Sequence, residues 1–63
     1  MATRAEYEAA LRSLPEAHSL ALRLRDAGAT DDDICEQLGI EPEGLETLLT
    51  LATQKLAAVL RKE

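Results

Sequence analysis

Few side chains in this chain could act on a substrate or hold an ion: Tyr7, His18, Cys35 and the carboxylate run Asp31–Asp33. A histidine working as general base needs a nucleophile and an orienting group, and no such constellation accompanies His18. One His and one Cys are too few for a tetrahedral zinc site, and one Cys cannot close an internal disulfide. Three consecutive aspartates point in different directions around a helix and cannot converge on one ion. They also lack the glycine and the closing Glu of a calcium loop. Cys35 is followed by Glu36 and preceded by the aspartates, the opposite of the cationic surroundings that activate a thiol. It reads as a small buried hydrophobe. His18 falls off the main apolar face of its segment and reads as a partly exposed surface side chain, while Tyr7 reads as core with its hydroxyl at the edge. No glycine-rich phosphate loop is present. The residues therefore point away from an enzyme, and no cofactor, metal or small-molecule substrate is expected.

Charge is the more telling chemistry. Between Asp26 and Lys55 there is no Lys or Arg, yet the interval holds seven acids: Asp31, Asp32, Asp33, Glu36, Glu41, Glu43 and Glu46. The whole chain carries a net charge of −5. Affinity for DNA comes largely from cationic side chains that neutralise phosphates, so such an interval opposes it. The same balance disfavours anionic membrane surfaces. No apolar run approaches the roughly 18 residues of a membrane span. The opening residues lack the apolar segment of a secretion signal, so a cytoplasmic protein is expected.

Four helices would have to position these groups, and no strand pattern or repeat competes with them. Thr3 and Glu6 form a capping box for a helix over Arg4–Ser13, whose buried face is Tyr7, Ala10 and Leu11, continued by Leu14. Pro15 opens a second helix that runs to about Ala27, with Ala17, Leu20, Ala21 and Leu24 on one face, Leu22 to the side, and Gly28 as a left-handed stop. Thr30 caps a short third helix over Asp31–Leu38, with Asp33 able to reach back and the three aspartates favouring the positive end of the dipole. Ile34, Cys35 and Leu38 face inward, Gly39 ends the helix and Ile40 plugs the turn. Pro42 opens a fourth helix reaching Arg61, with Leu45, Leu49, Ala52, Leu56, Val59 and Leu60 inside. The expectation is one all-α domain of four short helices over residues 1–63.

A short capped helix, a glycine stop and a longer helix make the layout of a DNA-reading helix-turn-helix. Leu11-Arg-Ser-Leu-Pro-Glu16, then Leu22-Arg-Leu-Arg25, Gly28, Ile34, Leu38-Gly-Ile40 and the stretch from Leu45 to Leu56 resemble region 4 of bacterial RNA polymerase sigma factors. The likeness covers nearly the whole chain. Its most specific mark is the Leu-Pro-Glu junction; the Ile34-x-x-x-Leu38-Gly-Ile40 core is shared by many helix-turn-helix proteins. A LuxR-type domain fits less well, because the last helix continues to the chain end. The resemblance implies a place in transcription, with the fourth helix reading a promoter element and the domain packing on the polymerase flap.

The departures fall where DNA would be met. Glu41 stands where the family has a small hydroxyl cap, Glu43 and Glu46 follow, and Leu48 and Leu51 occupy positions that are usually basic or polar there. Carboxylates at a helix start suit the dipole but repel phosphates approaching that end. Leu48 and Leu51 would form an apolar stripe extendable to Ala58, and such a patch marks a partner site more often than a wider core. Against a second copy, burying both would stabilise by roughly 3–6 kcal/mol before association costs. A chain of 63 residues with a Leu/Ala core and one aromatic is thin enough to need such support. The expected function is thus transcription regulation through protein contacts, with DNA binding weak or absent. The partner is a homodimer mate, RNA polymerase, a sigma factor or another regulator, met at Leu20, Leu48, Leu51 and Lys55. The alternative is a sequence-specific DNA reader whose phosphate and base contacts come from Arg23, Arg25, Thr47, Lys55, Arg61 and Lys62.

Overall fold

The computed structural model describes residues Thr3–Arg61. They form four helices and, among these residues, no strand: α1 (Arg4–Ser13), α2 (Glu16–Asp26), α3 (Asp31–Leu38) and α4 (Pro42–Arg61). Three are short, but α4 has 20 residues and packs on each of the others. At 1.5 Å per residue it is about 30 Å long and accounts for most of the 34 Å long axis.

The helix ends follow from local chemistry. The Thr3 hydroxyl accepts from the Glu6 amide while the Glu6 carboxylate accepts from the Thr3 amide, which satisfies two donors that the first turn leaves open. The Thr30 hydroxyl accepts from the Asp33 amide at 3.1 Å; the Asp33 carboxylate makes no return bond to Thr30, so only half of that box forms. α2 and α3 end alike. The Ala29 amide reaches the Leu24 carbonyl and the Gly28 amide the Arg25 carbonyl; likewise Ile40 reaches Cys35 and Gly39 reaches Glu36. Each is a Schellman closure with glycine at positive φ, +91° at Gly28 and +68° at Gly39. In both, the residue after the glycine turns back onto the core, Ala29 and Ile40 packing against the same cluster.

The core is in two parts joined along α4. Ala10, Leu11, Leu14, Leu22, Ala52 and Leu56 form one, with Tyr7, Val59 and Leu60 against it. Ala21, Ile34, Cys35 and Leu45 form the other, with Leu24, Leu38 and Leu48 against it. Leu49 touches both.

The inward face of α2 differs from the periodicity reading. Ala17 is exposed, whereas Leu22 is fully buried and is one of the three largest such side chains, with Leu11 and Ile34. Helices α1, α3 and α4 all pack on α2, so a side chain at the margin of a one-sided apolar face becomes its centre. His18, one turn before Leu22, rotates inward with it: it is half-buried and its Nδ1 is buried without a hydrogen-bond partner among the described residues. No helix among these residues is long and apolar enough to cross a membrane.

Candidate functional site

The α3–turn–α4 half carries the chain's charge asymmetry on its surface. Asp31, Asp32, Asp33, Glu36, Glu41, Glu43 and Glu46 are all exposed. The capping bonds of Thr30 and the Schellman turn at Gly39 hold the two acidic helix starts in place. Cys35 lies beneath them, buried in the second core cluster. Burial, and then the nearby carboxylates of Asp32, Asp31, Glu41 and Glu43, push its thiol above the ordinary range, so it is a poor nucleophile at neutral pH. Among the described residues no three His, Cys, Asp or Glu side chains are grouped so as to hold a metal ion.

The four proposed protein contacts do not form one surface. Leu51 is 44% exposed and is the one large exposed hydrophobic among the described residues. Leu48 is half-buried and packs against the α2–α3 core cluster, which removes it from the expected exposed stripe. The reason is the tilt of α3 onto α4, which widens the buried arc of α4 as far as Leu48. Lys55 is exposed one turn beyond Leu51. Leu20 is half-buried elsewhere: it lines a groove of about 340 Å³ with Arg12, Leu14, Glu16, Ser19 and Arg23, at the α1–α2 junction.

The proposed DNA contacts also disperse. Arg23 turns to α1, donating to Glu8 at 2.9 Å and to the Ser19 hydroxyl at 3.3 Å. Arg25 lies 3.9 Å from Asp26 and lines a groove with Leu49, Thr50, Thr53 and Gln54. Thr47, Lys55 and Arg61 are exposed along α4; Lys62 lies outside the described residues. Tyr7 ties the start of α1 to the end of α2 by donating to the Asp26 carboxylate. That bond, with burial and the negative charge of Asp26, raises the phenol above its ordinary value.

One feature escaped the sequence reading. Asp31 and Glu46 line a groove of about 310 Å³ with Pro42, Leu45 and Leu49. Their separation along the chain carries no spacing signal, because the turn at Gly39–Glu41 brings the start of α3 beside the first turns of α4. Comparison with protein families, curated proteins and solved structures finds no match for this chain.

Proposed function

We propose that this chain is a small helix-turn-helix domain of sigma region 4 type that serves transcription regulation through protein contacts, with DNA binding weak or absent. The observation that carries the reading is the α3–turn–α4 surface, with seven exposed carboxylates and no Lys or Arg from residue 27 to residue 54. A recognition helix brought to a groove in this orientation would carry Glu43 and Glu46 toward phosphates, and repulsion would precede any gain from base contacts. Leu51, set where DNA-reading domains of this type place polar or basic groups, gives α4 an apolar contact point instead. The sigma region 4 likeness rests on the Leu14-Pro15-Glu16 junction and the Ile34–Ile40 turn, which the four-helix architecture accommodates.

A DNA reader is the second reading, and one observation favours it: Arg25 shares a groove with Thr50, Thr53 and Gln54, a cation beside three hydrogen-bonding side chains. Arg25, Lys55 and Arg61 against seven carboxylates leave the balance unfavourable.

Light scattering on a sizing column, with the chain alone, with duplex DNA and with RNA polymerase, tests the proposal. No DNA complex at physiological salt is expected, together with a dimer or a polymerase complex that Leu51→Glu weakens. Leu48 is unsuitable for that substitution because a carboxylate there would be driven into the core. With 44% of Leu51 exposed, its burial in a contact is worth about 1 kcal/mol, a loss of roughly fivefold in affinity. Sub-micromolar, sequence-specific DNA binding with a steep salt dependence would overturn the proposal.

A further inference from the structure

We infer that the groove between the start of α3 and the first turns of α4 is the docking site of a basic protein segment, which places an Arg or Lys side chain along it. The inference rests on the protein-contact reading above and supplies the partner's chemistry. The groove is lined by apolar Pro42, Leu45 and Leu49 together with the acidic residues Asp31 and Glu46, both exposed. That combination matches a long cationic side chain, whose methylene stem lies on apolar surface while its charged head stays by the carboxylates. A hydrated metal ion has no use for the apolar lining, and a phosphate is repelled by the carboxylates.

The surroundings extend the same preference. The other five acids of the α3–turn–α4 half add a long-range attraction for a basic segment and contain no cation of their own to compete. The groove follows α4 from Pro42 to Leu49, about 10 Å at 1.5 Å per residue, and the Arg25 cation of the neighbouring groove bounds the basic segment at that end. Two-fold pairing of this face with a second copy is disfavoured, because it would set Asp31 and Glu46 against the same acidic surface. Glu46 and Leu51 stand about 140° apart around α4 at 3.6 residues per turn, so this site and the Leu51 contact can be tested separately.

The test uses a fluorescein-labelled amphipathic peptide of Arg and Leu, with a counterpart in which Glu replaces Arg, followed by anisotropy against the full chain. The Arg peptide is expected to bind at low salt and the Glu peptide not to bind. The double variant Asp31→Asn, Glu46→Gln is expected to weaken binding about tenfold or more. The control Asp33→Asn, Glu36→Gln removes the same charge from exposed positions that do not line the groove, and should weaken it no more than about twofold. Amide shifts on adding peptide to the unsubstituted chain are expected at Asp31, Leu45, Glu46 and Leu49 rather than around Leu51, which locates the site without any variant. Equal loss in the two double variants, shifts confined to the Leu51 side, or no binding of the Arg peptide would each overturn the groove assignment. Duplex DNA is the further arm: tight, specific binding there defeats the protein-contact reading itself, whereas a groove failure leaves that reading standing.

Discussion

Cys35 shows how one side chain can be both packed and charged against. It is buried on the inner face of α3, and burial together with the nearby carboxylates opposes thiolate formation in the folded chain while the unfolded chain lets it ionise normally. The folded pKa therefore exceeds the unfolded one. Below the unfolded pKa both states hold the proton and the stability is fully present. As pH rises past the ordinary thiol value of 9.0 the unfolded state loses its proton first, so stability falls until the folded pKa is passed. Urea midpoints measured from neutral pH to above that value should fall for the unsubstituted chain and fall less steeply for Cys35→Ala. A parallel slope in the two would show that the thiol contributes nothing. Tyr7, raised in the same direction by its bond to Asp26, extends the decline toward higher pH in both chains. His18 marks a different compromise at this scale. Its ring accepts a buried, unpartnered Nδ1 because α2 must present Ala21 and Leu22 to the core, and His18 shares their side of the helix.

At the scale of elements, Gly39 and Gly44 do unlike work. Gly39 has φ +68°, and its Schellman turn sets the direction in which α4 leaves α3. Gly44 sits inside α4 at ordinary helical geometry, and a Cβ built there meets nothing within 4 Å. The same substitution should then have opposite signs. Gly44→Ala should stabilise by about 0.5–1 kcal/mol through reduced freedom of the unfolded chain and better helix propensity. Gly39→Ala also meets open space, but its backbone conformation disfavours a Cβ, and it should destabilise by about 1 kcal/mol. Chemical denaturation of the two single variants reads both signs. Destabilisation by Gly44→Ala would mean that α4 starts later than Pro42, and a neutral Gly39→Ala would mean that the turn is made differently.

At the scale of the whole molecule, two small core clusters along one long helix hold a surface whose acids are concentrated in one half. Self-repulsion among seven exposed carboxylates works against the compact state, and salt screens it, with a Debye length of about 10 Å at 0.1 M. Adding sodium chloride in the submolar range should therefore raise the thermal midpoint. The variant Asp33→Asn, Glu36→Gln should show a smaller rise, having less repulsion to screen. A midpoint that falls with salt would mean that ion pairs such as Arg23–Glu8, at 2.9 Å, outweigh the repulsion. The same concentration of charge underlies the proposed choice of partner, because a surface that repels itself and repels phosphate still attracts a basic polypeptide.

The helices and their ends were legible from residues close together along the chain. Capping at Thr3 and Thr30, Pro15 and Pro42 at or beside helix starts, and Gly28 and Gly39 at positive φ are local devices, read within a few residues of where they act. The acidic, cation-free interval was legible as well, being composition alone. Which sides of those helices met depended on their packing against one another. Periodicity finds the mean apolar face of an isolated helix, but α2 has three neighbours, so Leu22 is buried and Ala17 exposed. For the same reason Leu48 was drawn into the core and the expected stripe on α4 shrank to Leu51. Leu20 and Leu51, alike as sequence, ended in different surroundings. The groove of Asp31, Pro42, Leu45, Glu46 and Leu49 exists only because a left-handed glycine turns the chain between two helices. Contacts between segments depend on the angle at which they cross, and that angle is set jointly by side chains that are distant from one another along the chain.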